Sequence, residues 1–333
     1  MVTRRPGATT IAEVAERAGV SASTVSRVMN GRFGGDPAVA ERVRQAAAEL
    51  RYSPNHLARS FALGQTSAIG FLVPDLANPS IQAVLAALSK AAAGDGYRVL
   101  VADSAEAVDD EPLLAAEIRR RSDALVLCAP RMSDAELVRV AETLAPVVLV
   151  NRSNPGAAAP TVTVDSRTGF AALARHLCAL GHRRLAYVTG PPGVATRNRV
   201  NGINDVVAEV EGVTVVRIEG GASSEDGVAA VEEVIASGAT GVLAFNDLVA
   251  IGLVHGLTER GVRVPDDVSV TGFDDIPFSR YMSPALTTES VPHRKLGEMA
   301  WARMHALLRG TEPDHDVVFQ PRLEVRRSTA PAG

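Results

Sequence analysis

The sequence predicts an α/β protein in which a short all-helical segment precedes a larger body with two parallel sheets. From Thr10 to Tyr52 the apolar residues recur at helical spacing, and no strand-like run interrupts them. From Ser67 onward short apolar strands alternate with helices, which is typical of parallel sheets covered on both faces. The 333 residues, 46 % of them hydrophobic, suffice for two or three domains with sizeable cores.

The helical segment is predicted to contain three helices. The first covers Ile11–Ala18 and ends at Gly19, and the second begins after a cap at Ser21. Asn30-Gly31 stops the second helix after Met29. A third, amphipathic helix is expected from Pro37 to Arg51, with an apolar face made of Val39, Val43, Ala47 and Leu50. Two short helices joined by a glycine turn have helix-turn-helix spacing, but an ordinary helical hairpin shares that spacing.

The polar side of the second helix carries residue types that read DNA. Its apolar residues are expected to face inward at Val25 and Val28, so the opposite side presents Ala22, Ser23, Ser26 and Arg27. The planar guanidinium fork of Arg27 fits two acceptors of guanine in the major groove. Short polar side chains suited to phosphate lie around it, at Thr10, Ser21, Thr24 and Asn30.

Charge is distributed unevenly along the chain. Residues 1–59 hold nine arginines and five acids, a net charge of +4, whereas the remainder carries −8. A basic head on an acidic body suits contact with nucleic acid at one end. The sequence has no membrane span and no apolar leader within Met1–Gly19, so we expect a cytoplasmic protein that does not bind membranes. Cys128 and Cys178 lie in apolar segments and are expected to be buried free thiols.

The body is predicted to hold two sets of strands. The first set comprises Ala68–Val73, Arg98–Ala102, Ala124–Cys128 and Pro146–Val150. The second set comprises Val162–Asp165, Leu185–Thr189, Val213–Ile218, Gly241–Phe245 and Val268–Phe273. The helix His293–Leu308 and the strands after it are expected to complete the first set. Two such sheets predict a ligand cleft at the carboxyl ends of their strands.

Asp274 and Asp275 follow a buried strand and could be a catalytic carboxylate pair or ligand-binding acids. No metal-binding, nucleophile or phosphate-loop motif accompanies them, which favours ligand binding. We expect Asp274 to face Arg199 and Asn246 from other strand ends, a mixture of donors and acceptors that suits hydroxyl groups. Asp247 is expected to cap the helix after it, and His182 is expected to be a turn residue.

The segment Thr10–Asn30 closely resembles the headpiece of the LacI/GalR family of bacterial transcriptional regulators. The resemblance continues in order along nearly the whole chain, through Tyr52-Ser-Pro-Asn55, Gly70-Phe-Leu-Val-Pro-Asp75, Asn78-Pro79, Leu180-Gly-His-Arg-Arg184, Gly190-Pro191, Arg199-Val-Asn-Gly202, Phe245-Asn-Asp247, Gly272-Phe-Asp-Asp275 and Leu286-Thr-Thr288. It implies a DNA-binding headpiece, a hinge helix and a two-subdomain sensor similar to periplasmic sugar-binding proteins.

On the DNA side, the resemblance implies a headpiece over 8–52 and a hinge helix with its linker over 53–65. Ala22, Ser23 and Arg27 match base-contacting positions of the family, and the DNA-binding set extends to Tyr52, Asn55 and Ala58. Phe61 stands where the family usually places a leucine that wedges between base steps in the minor groove. Since about two helical turns are unstable alone, DNA and the partner's hinge helix would support this segment.

On the sensor side, the resemblance implies subdomains formed by 66–165 with 293–322 and by 166–292 with 323–330. The implied effector-binding residues are Asp75, Ser80, Ile81, Asn151, Arg152, Arg199, Ala222, Asn246, Asp274 and Val291. Family members often carry aromatic or polar groups where Ser80, Ile81, Ala222 and Val291 stand here. The cleft is therefore expected to lack stacking platforms, which disfavours a flat purine.

These expectations amount to a homodimeric regulator, a repressor by analogy, that binds near-palindromic double-stranded operator DNA. A small effector, a sugar or polyol, would set its operator affinity, and no cofactor or metal is expected. A sugar-binding module without regulatory action and a sugar-converting enzyme with a DNA-binding head are the alternatives. The helical segment argues against the former, and the missing catalytic motifs argue against the latter. Either sign of the effector's action is compatible with this fold.

Overall fold

The computed structural model describes residues 9–29, 31–52, 66–313 and 316–333, and the chain divides into two compact units. The helical unit is Met1–Thr66 and the larger unit is Ser67–Gly333. None of the helices in the described ranges is long and apolar enough to cross a membrane.

The helical unit contains α1 (Ile11–Ala18), α2 (Ala22–Met29) and α3 (Pro37–Glu49). Helix α1 begins with a capping box, in which the Thr10 hydroxyl accepts from the Glu13 N–H and the Glu13 carboxylate accepts from the Thr10 N–H. It ends at Gly19, whose φ of 67° is the left-handed conformation that glycine adopts without strain. The start and the end of this helix are thus fixed by local sequence.

The three helices pack around a small core centred on Val14, Val25 and Val43, all fully buried. The predicted apolar face of the third helix is partly wrong, because Val39 is only half-buried and Ala40 and Ala46 are buried in its place. The seam between α3 and the other helices therefore runs along a row of alanines, which lets the helices approach closely.

The larger unit contains two six-stranded sheets. The strands are β1 (Ala68–Val73), β2 (Arg98–Asp103), β3 (Ala124–Cys128), β4 (Val147–Val150), β5 (Thr161–Val164), β6 (Arg184–Val188), β7 (Thr214–Ile218), β8 (Gly241–Ala244), β9 (Ser269–Asp274), β10 (Thr287–Ser290), β11 (Val317–Phe319) and β12 (Arg322–Glu324). The sheet of the first half has the strand order β11-β5-β4-β3-β1-β2 and is parallel throughout. The sheet of the second half has the order β12-β10-β9-β8-β6-β7.

Helices cover both faces of each sheet, as parallel strands require. They are α4 (Pro79–Gly94), α5 (Glu111–Arg119), α6 (Asp134–Thr143), α7 (Ser166–Ala179), α8 (Val194–Glu209), α9 (Ser224–Ala229), α10 (Val231–Ser237), α11 (Asp247–Glu259), α12 (Pro277–Tyr281) and α13 (His293–Leu308), with a 3-10 turn at Val108–Asp110. Helix α13 packs on α4 and on the first sheet, and α7 packs on α8 and on the second sheet. The two cysteines are free and buried, as predicted.

Two predicted strand memberships are wrong. The strand expected at Val162–Asp165 in the second set is β5, which pairs with β4 and β11 in the first sheet. The strands after α13 do not both return to the first set, because β12 pairs antiparallel with β10 in the second. Apolar runs show that a strand exists, but the sheet it joins depends on where the chain crosses between the halves.

The chain crosses between the halves three times, after β5, after β10 and between β11 and β12. The first crossing is held by Asp165, whose carboxylate caps α7 through the Thr168 N–H and whose own N–H donates to the Phe319 carbonyl. This bond joins the first crossing to the third. The two halves are therefore joined by three connections, and hinge motions in proteins act through a few connecting residues of this kind.

Candidate functional site

The exposed side of α2 presents the residues predicted to read DNA. Ser21, Ala22, Ser23 and Arg27 are exposed, whereas Val25 and Val28 on the opposite side are buried in the core, as predicted. Ser26 is half-buried at the edge of this surface. The helix therefore offers a continuous polar face with a guanidinium in its last turn.

Three hydroxyl groups lie together where α2 begins. The Ser21 Oγ lies 2.8 Å from the Ser23 Oγ and 2.9 Å from the Thr24 Oγ1, and it accepts from the Thr24 N–H at 3.2 Å. Ser21 is thus the cap expected from the sequence. The partial positive charge of a helix N-terminus together with hydroxyl donors favours an anionic group such as a phosphate.

The remaining predicted DNA contacts either interact with other residues of the helical unit or lie outside the described residues. Thr10 uses its hydroxyl oxygen to cap α1, and Tyr52 packs half-buried against the core of the helical unit, where burial raises its pKa. Asn30, Asn55, Ala58 and Phe61 lie outside the described residues, as does the whole predicted hinge segment.

The larger unit has a cavity of about 270 Å³ whose lining comes from both halves. Nine of the ten predicted effector residues line it, namely Ser80, Ile81, Asn151, Arg152, Arg199, Ala222, Asn246, Asp274 and Val291. Asp75 does not line it, because its carboxylate turns back to accept from the Ala77 N–H at 2.7 Å. Sequence reasoning missed further lining residues, among them Asn78, Arg131, Asp165, Asn198, Phe245 and Phe273.

Asp274 stands at the end of β9 with φ of 120°, a conformation that side-chain-bearing residues rarely adopt. Such strain is held by surrounding structure and clusters at ligand sites. Desolvation raises the pKa of the Asp274 carboxyl to about 7, against the lowering effects of the Arg199 charge and of a hydrogen bond with Ser80. This side chain can therefore exist as an acid or as a carboxylate near neutral pH.

Arg199 lies in the middle of α8, not at a strand end as expected, and it is 7 % exposed. Its guanidinium carbon lies 3.7 Å from the centre of the Phe245 ring, with Phe273 and Phe170 at 5.0 and 5.3 Å. Its Nε and Nη1 have no hydrogen-bond partner among the described residues. The aromatic faces thus stabilise the positive charge of the Arg199 guanidinium. Its Nε–H and Nη1–H groups can donate hydrogen bonds to a further group.

The two aromatic rings that line the cavity went unnoticed in the sequence because they lie on separate elements: Phe245 after β8 and Phe273 on β9. The sequence predicts a cleft poor in stacking platforms, and these two rings are the aromatic side chains that line it among the described residues. The Phe245 face is nevertheless covered by the Arg199 guanidinium, so that face supports a cation.

Asn246 lines the cavity as predicted, and it also takes the capping role that was expected of Asp247. Asn246 caps α11, accepting from the Val249 N–H at 2.9 Å, and it donates to the Ala222 carbonyl at 2.8 Å. Asp247 does not cap; it is fully buried and accepts from the Ile276 N–H and from the hydroxyls of Ser279 and Thr288. Burial raises the Asp247 pKa to about 7. This carboxyl anchors the chain that follows Asp274.

Two further arginines reach the cavity from the first half. Arg152 is 7 % exposed and donates to Asp134 at 2.8 Å and to the Met132 carbonyl at 3.2 Å, while its Nε has no partner among the described residues. Arg131 makes a two-pronged ion pair with Glu106, at 2.9 Å for each bond. The cavity is therefore rich in fixed donors.

His182 follows α7 in the predicted turn, but its ring is buried and bonded to Thr240, Ser269 and the Ala330 carbonyl, a structural network. Within the described ranges, no group of three or more His, Cys, Asp or Glu side chains could hold a metal ion.

The sequence of this chain is similar to two known protein families and to known transcriptional regulators. Residues 10–55 match the family described as bacterial regulatory proteins, lacI family, and residues 174–329 match the periplasmic binding protein-like domain. The transcriptional regulator GalR of Salmonella typhimurium is 33 % identical over 96 % of this chain and 96 % of its own length. The chain belongs to the lacI family. This lacI-family protein is a DNA-binding transcriptional regulator.

Two solved structures extend the likeness of this lacI-family regulator to the fold. The lac repressor dimer bound to operator and the anti-inducer ONPF is 29 % identical, with a TM-score of 0.86 over 97 % of this chain and 99 % of that one. A LacI family transcriptional regulator from Enterococcus faecium, solved with bound ribose, is 26 % identical, with a TM-score of 0.71 over 80 % of this chain and 100 % of that one.

The cavity of this lacI-family regulator draws on more than the matched binding-protein range. Arg199, Asn246 and Asp274 fall within 174–329, whereas Ser80 and Arg152 come from the first half, before that range. A ligand in the cavity would therefore contact both halves at once.

Proposed function

We propose that this chain is a homodimeric regulator, acting as a repressor, whose affinity for a near-palindromic operator is set by a small sugar or polyol bound in the cavity. The observation that carries the proposal is the cavity itself. It lies between two halves joined by a hinge, and both halves contribute polar side chains to it. A ligand that bridges the halves binds the closed arrangement better than the open one, and only such differential affinity can shift DNA binding.

The helical unit supports sequence-specific DNA binding through α2. Arg27 would read a guanine edge in the major groove, with Ala22 and Ser23 beside it, while the hydroxyls at the helix start would hold a phosphate. We propose residues 8–52 as the headpiece and 53–65 as the hinge, with Asn30, Asn55, Ala58 and Phe61 as further contacts. Because the lac repressor is a dimer on its operator, we propose the same assembly here.

The chemistry of the cavity supports a hydroxylated effector. Asp274 offers acceptor oxygens, while Arg152 and Arg199 keep guanidinium N–H groups without partners among the described residues. A sugar hydroxyl both donates and accepts, so it satisfies both kinds of group. The ribose bound by the Enterococcus faecium regulator is a molecule of this class. A purine would need a free ring face, and the Phe245 face is occupied by Arg199.

The same considerations argue against catalysis. The carboxyls nearest the cavity serve as ligand acceptor, anchor and ion-pair partner, and Asp275 is held by Arg280 and Arg326. We propose that the protein is not an enzyme and needs no cofactor. Because the GalR regulator of Salmonella typhimurium is a bacterial transcriptional regulator, we propose that this chain acts in the cytoplasm.

A two-step experiment on the full-length protein tests the proposal. Thermal shift is first measured against monosaccharides, disaccharides, polyols and adenine, since a ligand present at about 100 times its dissociation constant stabilises the folded state by about 2.7 kcal/mol. Operator DNA is then selected from a random pool, and its affinity is measured with and without each stabilising compound.

We expect at least one sugar or polyol to raise the melting temperature and to change operator affinity at least tenfold. A protein stabilised by adenine alone would contradict the effector chemistry. A protein that binds a sugar but selects no DNA sequence would instead be a binding module. Steady conversion of a sugar into product would establish an enzyme.

A further inference from the structure

Helix α8 begins at the cavity without a side-chain cap. Of the helices that begin there among the described residues, three are capped by a lining side chain: Asn78 caps α4, Asp165 caps α7 and Asn246 caps α11. The N-cap of α8 is Gly193, which has no side chain to accept from the first-turn N–H groups, and the first two residues of this helix line the cavity. These N–H groups form the positive end of the helix dipole. The start of α8 therefore offers main-chain donors to a ligand.

Arg199 lies on the same helix, and its buried guanidinium forms no ion pair within the described ranges. Its Nε and Nη1 make no hydrogen bond there either, and the nearest group is the Phe245 ring, 3.7 Å from the guanidinium carbon. Burying a charge is costly unless another group pairs with it. Aromatic faces compensate for part of the lost hydration, and an anion hydrogen-bonded to Nε and Nη1 would compensate for more of it.

Arg152 brings a second guanidinium from the first half to the start of α8. Its Nη1 lies 3.8 Å from the position that a Cβ on Gly193 would occupy. Its Nη2 donates to Asp134 and to the Met132 carbonyl, whereas its buried Nε has no partner in the described part of the chain. We call Arg152, Arg199 and the first turn of α8 the donor cluster. Its members reach the cavity from both halves.

The other charged groups that line the cavity do not neutralise the donor cluster. Arg131 is itself paired with Glu106, and the Asp165 carboxylate accepts from the Thr168 N–H and hydroxyl. Asp274 lines the cavity as well, but no ion pair joins it to the donor cluster among the described residues. Its oxygens remain acceptors for the hydroxyl groups of a ligand. The cavity thus combines acceptors for hydroxyl groups with a separate set of donors.

We infer that the effector carries an anionic group beside its hydroxyl groups, as a sugar carboxylate or a sugar phosphate does, and that the donor cluster binds this group. Carboxylate and phosphate share the chemistry that the cluster recognises, since both present several negatively charged oxygens to guanidinium forks and helix N-termini. An anion bound there joins the two halves by charge. The inference rests on the proposed function in that the cavity is taken to bind a hydroxylated effector.

Matched ligands that differ in charge test the inference on the full-length protein. Calorimetric titrations compare glucose and galactose with the uronate and the phosphate ester of each. We expect at least one anionic compound to bind about tenfold or more tightly than its neutral parent, because hydrogen bonds to charged groups are stronger than those between neutral groups. The arm that binds, carboxylate or phosphate, identifies the group. R199Q and R152Q should each lose most of this preference, and R152Q keeps the test open if R199Q does not fold.

R175Q is the matched control, because Arg175 pairs with Glu209 on the surface of α7 and α8, away from the cavity lining. It should keep the preference of the wild type for the anionic compound, and circular dichroism checks that each variant is folded. Neutral sugars that bind as tightly as all of their anionic counterparts would overturn the inference and leave the proposed function intact. So would a preference that R199Q and R152Q retain in full.

Inorganic phosphate alone provides a test that does not depend on the choice of sugar. It should raise the melting temperature of the wild type and of R175Q more than that of R199Q and R152Q, since any general effect of the salt acts on all four proteins alike. If no sugar binds, neutral or charged, the proposed function is contradicted, and the phosphate measurement still decides the inference. Equal stabilisation of all four proteins would then overturn it.

Discussion

At the scale of single residues, Arg27 is the side chain on which base reading should depend. It is exposed on the polar face of α2, and a bidentate contact with a base contributes about 1–3 kcal/mol of discrimination. Arg27→Ala should weaken binding to the selected operator by that amount and relax one base preference in each half-site. Anisotropy titrations on operator and on random DNA measure both effects.

The matched control for Arg27 is Arg44→Ala, which removes the same charge from an exposed position on α3. This control should lower affinity for operator and random DNA alike by a small, salt-dependent amount. If the two variants behave identically, Arg27 contributes charge and no base reading.

Asp274 should decide the ligand response without affecting DNA binding. Losing its carboxyl would leave effector hydroxyls or Arg199 without a partner, at a cost of about 1–3 kcal/mol. Asp274→Ala should therefore lower affinity for the sugar found in the thermal screen about tenfold or more, while ligand-free operator binding stays as in the wild type. An unchanged ligand response would place the effector elsewhere.

Glu289 is a buried acid whose titration should be visible in stability. It lies on β10, is 1 % exposed, and its Oε1 has no partner among the described residues. Desolvation and the nearby Glu324 raise its pKa to about 8. Between the unfolded value near 4.5 and about 8, the folded protein holds a proton that the unfolded chain releases, so stability falls as pH rises through this window.

Glu289→Gln should flatten this dependence by up to about 1.4 kcal/mol per pH unit. Denaturant unfolding at pH 5, 6.5 and 8 measures the slope, and the difference between the variant and the wild type isolates Glu289 from other buried acids. The exposed Glu142→Gln is the control and should leave the slope unchanged. Parallel slopes in Glu289→Gln and the wild type would contradict the raised pKa.

At the scale of elements, the capping box of α1 should set the stability of the helical unit. Thr10→Ala removes the hydroxyl that caps the helix and should cost about 1 kcal/mol. Thr10→Ser keeps that hydroxyl and should cost little. Hydrogen exchange of α1 amides in the full chain reports the difference, and equal protection in the two variants would mean that tertiary packing holds the helix end.

The elements themselves were largely predictable, because their signals are local. Helix α1 covers Ile11–Ala18 and ends at Gly19 as predicted, and the strand β1 has the predicted bounds. Two features could not be predicted from the sequence. One is the sheet that β5 joins, which is the first. The other is the residue that caps α11, which is Asn246 and not Asp247. Strand membership and the choice between two adjacent capping residues depend on neighbours distant in sequence.

The site was predictable in its polar residues and not in its aromatic ones. Nine residues implied by the family resemblance line the cavity, and strand-end topology by itself accounts for Asn246 and Asp274 among them. The cradle of Phe170, Phe245 and Phe273 under Arg199 has no such signature, because phenylalanines in apolar runs look like ordinary core.

At the scale of the whole molecule, we expect a dimer assembled through the larger unit. Light scattering of the full chain at micromolar concentration, in the absence of DNA, should give twice the mass of 34.8 kDa. Two-fold symmetry would match a near-palindromic operator, since the spacing of half-sites mirrors the protein's symmetry. A stable monomer or tetramer would contradict this assembly.

The third crossing, between β11 and β12, has a consequence for synthesis on the ribosome. One edge strand of the first sheet is Val317–Phe319, so that sheet stays incomplete until residue 319 has been made. At about 5–20 residues per second, the helical unit emerges tens of seconds earlier. A transcript broken shortly before codon 317 would thus encode every residue of α2 together with a larger unit lacking one strand from each sheet.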